Sequence, residues 1–212
     1  MRWRASWVVC GLFVAGRLNA QTLEERWSIW ATASAMFADQ AIAAQRGLTG
    51  SWVGAGLTGK WHMLSLSVEG LTGRISGSGD DRRVRVTDVA VRLQPRSWLT
   101  IGLAAEARRS AEVGDTSVWR MMGPLVGVTA PLGVAGVSAR AEVVYFPVLG
   151  VAGLDPLSRA ARADVGLIFV SSRWPVSVEL DYRRQTFTFG DSRARESLGG
   201  LVLGVRARLL AH

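Results

Sequence analysis

Gly54-Ala55-Gly56-Leu57-Thr58-Gly59 matches the glycine spacing that lets a backbone approach a dinucleotide pyrophosphate. That chemistry needs a strand before the glycines, a helix after them and an acidic residue about twenty positions on. His62 to Glu69 instead alternates polar and apolar, so the glycines read as relief of crowding inside a strand and at a turn. General acid–base work would fall to the only two histidines, His62 and His212. Asp80-Asp81-Arg82-Arg83, beside the Gly/Ser-rich run Gly73–Gly79, offers carboxylates for Ca²⁺ or guanidinium groups for lipopolysaccharide phosphates. Its spacing matches no metal loop, and it reads as a solvated loop. No cofactor and no metal site is predicted.

The first twenty residues stand apart. Arg2 and Arg4 precede an uncharged, mostly apolar run from Trp7 to Ala15, and Leu18-Asn19-Ala20 ends on a small residue. This is the layout of a secretory signal peptide, with cleavage expected after Ala20 and one domain over 21–212. The apolar run is too short for a membrane-spanning helix. The single cysteine, Cys10, lies inside that segment, so the mature chain is expected to hold no disulfide, thiolate nucleophile or cysteine-ligated metal. The net charge of +8, less Arg2, Arg4 and Arg17, becomes +5, and Lys60 is the sole lysine. The arginines are interleaved with Asp and Glu rather than gathered into a basic stripe, which argues against nucleic acid and for carboxylate partners.

The elements that must position these charges alternate with a period of two. Trp27–Phe37, His62–Thr72, Trp98–Arg108, Ala135–Tyr145, Pro175–Tyr182 and Leu201–Leu209 each set an apolar face against a polar one, as a strand does. Gly50–Gly59, Val84–Gln94, Val118–Ala130 and Arg162–Ser172 are less regular; a slip between Val86 and Val89 and the presence of Pro124 each predict a bulge. Ala31–Ala44 has helical propensity, but its alternation favours a strand. Tight joins at Gly59–Trp61, Pro95–Ser97, Pro131–Val134 and Ser172–Trp174 alternate with longer polar stretches at Asp39–Thr49, Arg74–Arg83, Arg109–Ser117, Pro147–Ala161 and Gly190–Ser197. Trp27, Trp61, Trp98 and Trp174 fall at one end of the strands, and Trp119, Tyr145, Phe37 and Phe187 toward the other, the arrangement of two interfacial girdles.

The polar faces mix small residues with Glu69, Asp88, Arg92, Glu106, Arg108, Arg140, Glu142, Glu179, Asp181, Arg206 and Arg208. Both signs of charge among Ser, Thr and Gly suit a crowded lumen in which arginines and carboxylates satisfy one another. The apolar faces carry no charge across the middle of the six regular strands, where an Arg or Lys would cost about 2–4 kcal/mol at a bilayer midplane. The fold class is therefore all-β, an up-and-down antiparallel transmembrane barrel of about ten strands, with eight as the alternative. A soluble periplasmic barrel of lipocalin type, its apolar faces turned inward, is the competing arrangement.

On the signal segment, the period-two strands, the loop alternation and the girdles, the mature chain resembles the small bacterial outer-membrane β-barrels. It departs from them in closing on Arg208-Leu209-Leu210-Ala211-His212, where such barrels usually end on an aromatic residue read by the assembly machinery. The resemblance implies outer-membrane residence, insertion by that machinery, and lipid, lipopolysaccharide included, as partner. Arg46, Arg109, Arg184, Arg193 and Arg195 are the candidates for lipid headgroups. Enzymes among such barrels use a histidine near the outer rim, whereas His62 and His212 fall on the periplasmic side of this topology; no enzymatic activity is expected. The expected role is structural or interactive, through external loops around a filled lumen. A narrow porin-like channel or a barrel binding lipid or small molecules is the alternative.

Overall fold

Period-two patterning over the whole chain becomes a closed wall of strands. In the computed structural model, which describes residues 27–42, 47–77, 80–112, 115–152, 157–189 and 195–211, ten strands follow one another. They are β1 (Trp27–Ile42), β2 (Leu48–Trp61), β3 (Leu64–Gly77), β4 (Asp80–Arg96), β5 (Leu99–Glu112), β6 (Asp115–Pro131), β7 (Val137–Ala152), β8 (Leu157–Val170), β9 (Val176–Phe189) and β10 (Arg195–Ala211). Each is antiparallel to the next, and β1 pairs with β10, so the sheet closes with ten strands rather than eight. The alanine-rich stretch is strand through Ile42. The signal segment, its cleavage after Ala20, Arg46, Arg193 and His212 lie outside the described residues.

The strands are 14 to 17 residues long, more than the roughly 9–11 needed to cross a bilayer. The surplus runs into segments that the sequence assigns to long loops. Asp80-Asp81-Arg82-Arg83 is not a solvated loop but the start of β4, with Ser76, Ile75 and Arg74 opposite Asp81, Arg82 and Arg83. Arg109 and Ser117 likewise lie in the β5–β6 ladder, where Ser110 faces Ser117. The expected alternation of short and long connections is thereby lost. The barrel's two ends differ in their outer faces instead.

One end, here the terminal end, carries Trp27 and Ala211 as well as the turns at residues 62–63, 97–98, 132–136 and 171–175. Trp27, Trp61, Trp98 and Trp174 are exposed there. His62 occupies the first turn with φ 51° and its ring lies 5.5 Å from that of Trp61. At the other, distal end the outward positions turn polar. Between them Leu57, Leu66, Val91, Leu103, Val126 and Leu203 point outward and are exposed. This apolar exterior rules out the soluble arrangement, in which these faces would fill the interior. Leu103, opposite Val91 and Pro124, sits midway between Trp98 and the outward Arg109. Leu103→Arg is expected to cost about 2–4 kcal/mol of folding free energy in a bilayer, read as a lowered denaturant midpoint for vesicle-inserted protein.

The irregularities fall elsewhere than the pattern suggests. The β3–β4 register is continuous through Val86 and Val89, and β4 breaks register only between Leu93 and Arg96. Val84 and Val86 face inward with Asp88, so the slip marks a change in what the lumen contains, not a bulge. Pro124 stays in the β5 ladder opposite Leu103, but on its other side the pairing with β7 skips residues 122–124, and the register shift itself falls between Arg120 and Met121. Gly123 must be glycine: a Cβ there would lie 1.8 Å from the Tyr145 carbonyl oxygen of the facing strand.

Candidate functional site

Closure brings inward-facing residues from all ten strands together, and they separate into two layers along the barrel axis. Nearer the terminal end the layer is charged. Arg92, on β4, forks onto Glu142 of β7 with Nε to Oε2 at 2.9 Å and Nη2 to Oε1 at 3.1 Å, and donates from Nη1 to the Ser67 hydroxyl at 2.7 Å. Arg140 forks onto Asp181 at 2.9 and 2.5 Å and reaches Glu179 Oε2 at 3.1 Å. Arg206 meets the other oxygen of Glu179 at 3.0 Å. Ser34 donates to Glu69 at 2.7 Å. Arg208 stands beside this layer with its guanidinium 5.2 Å from the Trp30 ring centroid.

The hub is Arg162 on β8, which the sequence reading did not select. It donates to Asp88, lies 3.4 Å from Glu106 Oε2, and has Nε 3.3 Å from Asp164 Oδ2 without the alignment of a hydrogen bond. Asp164 in turn accepts from Arg183 Nε at 2.6 Å, and Gln185 donates to both oxygens of Glu106 at 3.0 Å. Arg162, Asp164, Glu106 and Gln185 are all buried. In so buried a setting an unmatched charge costs several kcal/mol, which is why each carboxylate described here has a guanidinium on it, apart from Glu69, which accepts from Ser34.

Nearer the distal end the same inward positions are apolar: Met36, Trp52, Ile75, Met121, Phe146 and Phe187, among others, are closed off from solvent. Arg108 is buried in the midst of them. Its guanidinium carbon lies 4.8 Å from the Phe187 centroid, 5.2 Å from Trp119 and 5.8 Å from Trp52. Nη2 approaches Glu196 at 3.7 Å, and Gln40 donates to that carboxylate. Arg108 Nε and Nη1 have no hydrogen-bond acceptor, and ring faces surround them instead. A desolvated cation on aromatic faces is worth about 2 kcal/mol or more, which helps to offset its burial.

Two sequence-predicted positions need correction. Trp119 and Phe187 do not belong to an outer girdle: both face inward, 7% and 0% exposed, with ring centroids 5.4 Å apart. Tyr145 and Phe37 do face outward and are exposed. The other lumen candidates, Glu69, Asp88, Arg92, Glu106, Arg140, Glu142, Glu179, Asp181 and Arg206, all point inward and join the charged layer. Gly54 and Gly56 of the glycine-rich motif face the lumen within β2, where a Cβ on Gly54 would press on Leu71 and Ser34. His62 sits exposed at the terminal end, remote from the buried charges. No group of three or more metal-ligating side chains occurs among the described residues.

A cavity of about 80 Å³ lies in the charged layer, lined by Thr32, Ser34, Glu69, Arg92, Arg140 and Arg206 among others. It has room for several waters. Side-chain exposure of 34% at Arg206 and 26% at Arg92, against 1% at Arg108, gives its direction: wet from the terminal end and dry at the distal one. The lumen is a polar vestibule under an apolar cap.

No family model and no characterised protein sequence matches the chain. Among solved structures it is similar to the outer membrane protease OmpT of Escherichia coli, at 11% identity and TM-score 0.48, over 89% of this chain and 99% of that one. It is similar to Neisserial surface protein A at 13% identity and TM-score 0.46, over 85% of this chain and 97% of that one. The translocator domain of the autotransporter NalP from Neisseria meningitidis follows at 13% and 0.41, over 86% and 88%. At such scores the likeness carries no argument about activity, and the barrel stands on its own strand pairing and apolar exterior.

Proposed function

We propose that this protein is a non-conducting, non-enzymatic barrel of the bacterial outer membrane, placed there by the outer-membrane assembly machinery, with a structural or interaction role carried by its distal rim. The observation that carries the reading is the apolar cap. Trp52, Trp119 and Phe187 surround Arg108, Phe146 lies against Arg162, and these buried rings narrow the lumen between the vestibule and the distal end. A barrel of about eight strands is just wide enough for its side chains to fill, and ten strands remain near that limit. With Trp27 at the start of β1 and Ala211 at the end of β10 on the periplasmic side, the vestibule opens to the periplasm and the cap faces out. His62, exposed at the terminal-end turn, is poorly placed as a general base for a site on the external side.

The reading predicts no single-channel steps from purified protein in a planar bilayer. Trp52→Ala combined with Phe187→Ala, which removes two rings from the cap, is expected to give discrete steps at the same protein density. Regular open-channel steps from the unaltered protein would overturn the plugged reading in favour of a narrow channel.

A further inference from the structure

Five arginines gather on the outer face of β3 to β6 near the distal end: Arg74, Arg83, Arg85, Arg109 and Arg120, all exposed. Their register is unusual. Arg74 stands directly opposite Arg83, and Arg85 directly opposite Arg109. Arg120 faces Ala107, one step diagonally from Arg109. Directly opposed side chains have Cβ atoms about 4.5–5.5 Å apart, and like charges in that relation destabilise a sheet. One carboxylate, Asp81, reaches the cluster, 3.4 Å from Arg74 with both side chains more than half exposed. Among the described residues no ion pair joins Arg83, Arg85, Arg109 or Arg120 to a carboxylate. Two successive Arg–Arg pairs oppose folding unless an anion lies between them.

The surroundings say which anion. The cluster borders the apolar exterior: Arg85 is eleven residues from Arg96 at the opposite end of β4. At about 3.3 Å per residue and a tilt near 40°, that distance is roughly 28 Å, about the height of a lipid-facing band. The arginines therefore stand at headgroup level. Beneath the other four, and level with Arg120, the row Gly70, Thr87, Ala107, aligned across β3, β4 and β5, is made of small residues, and a Cβ on Gly70 would touch nothing within 4 Å. This is a shallow dip in the outer wall, continuous with the apolar belt below and the cationic cluster above. Guanidinium forks match phosphate oxygens in pairs, so two opposed arginines hold one phosphate well.

We propose that Arg74, Arg83, Arg85, Arg109 and Arg120 form a site for the phosphate groups of a lipid in the leaflet bordering the distal end. An acyl chain of that lipid lies over the dip of Gly70, Thr87 and Ala107. The site takes its placement from the membrane reading above, but its test is independent of whether the lumen conducts.

The protein is folded into phosphatidylcholine vesicles, alone or doped with lipid A, whose disaccharide headgroup carries two phosphates. Unfolding is followed by loss of the compact band on unboiled gels. Lipid A is expected to raise the midpoint of the unaltered protein. The R85Q/R109Q variant is expected to match or exceed the unaltered protein in plain phosphatidylcholine, because a repulsive pair is gone, and to gain nothing from lipid A. Its apparent affinity for lipid A should fall about tenfold or more, as the loss of a charged hydrogen-bonding pair implies. R85K/R109K, which keeps charge without the fork, should fall between. R159Q/R173Q, exposed arginines on β8 and in the turn before β9, should respond as the unaltered protein does. Should R85Q/R109Q not fold, R109Q alone is read by the same criteria. An equal lipid A response in R85Q/R109Q, or an equal loss in R159Q/R173Q, overturns the site. Inorganic phosphate reproducing the full stabilisation in plain vesicles overturns the lipid as its ligand.

Discussion

Arg162→Ala is expected to lower the stability of the inserted barrel by about 3–5 kcal/mol, the loss associated with removing one partner from a buried ion network. Arg162 is the cation that Asp88, Glu106 and Asp164 share. Without it three carboxylates face one another in a space sealed from solvent at the distal end, and Gln185 alone cannot neutralise Glu106. Urea titration of vesicle-inserted protein, scored by the compact band on unboiled gels, measures the effect. Adding Asp88→Asn to Arg162→Ala should recover part of the loss, since the amide removes one uncompensated charge; two losses that simply add would mean the pair is not coupled. A loss below about 1 kcal/mol would place this layer among solvated surface pairs and remove the basis for a dry network.

Arg108→Ala should produce a second large effect, of a different kind. The substitution empties the space between the Trp52, Trp119 and Phe187 rings and leaves Glu196 buried with Gln40 as its neutral partner. Instability of about 3–5 kcal/mol is expected from the stranded carboxylate. Water drawn to Glu196 would join the vestibule to the distal end, so conductance steps should appear. Arg108→Leu paired with Glu196→Gln separates the two consequences. Replacing a buried ion pair by apolar or neutral groups of similar volume is often neutral or stabilising, so this double variant should fold well and stay silent in bilayer recordings. A conducting but stable double variant would show that the charge on Arg108, rather than the packing around it, keeps the cap shut.

The strands were legible because a wall with oil on one side and a lumen on the other imposes a period of two, and the regular segments obey it throughout. The charged layer was legible for the same reason, through residues such as Glu69, Arg140 and Glu179 set against apolar neighbours. Arg162 and Asp164 were missed because their strand reads Ala160-Ala161-Arg162-Ala163-Asp164, and alanine on the outer face gives little contrast; Arg183 lies one residue past the regular segment Pro175–Tyr182. The cap was illegible because its inward residues are as apolar as the outward ones: around Trp119, Met121 and Leu125 the alternation loses its polar half. Phase alone would have found Phe187, which shares parity with Glu179 and Asp181 on β9. Its nearness to the strand end outweighed that signal. The strand ends themselves extended beyond the expected loops because polar residues such as Asp81 and Arg83 pair through their backbones whatever their side chains face.

Some ion pairs of the lumen join neighbouring strands, as Arg183 and Asp164 do, but others run as chords across it. Arg92 on β4 meets Glu142 on β7, Arg162 on β8 meets Asp88 on β4, and Arg108 on β5 meets Glu196 on β10. None of these contacts can exist in a flat or partly curled sheet, so an open intermediate would carry its arginines and carboxylates unmatched into lipid. Closure and charge satisfaction are thus one event, and the interior acts as a proof of assembly: a barrel joined one register out along the β1–β10 seam would misplace partners on the far wall and lose its claim to the membrane.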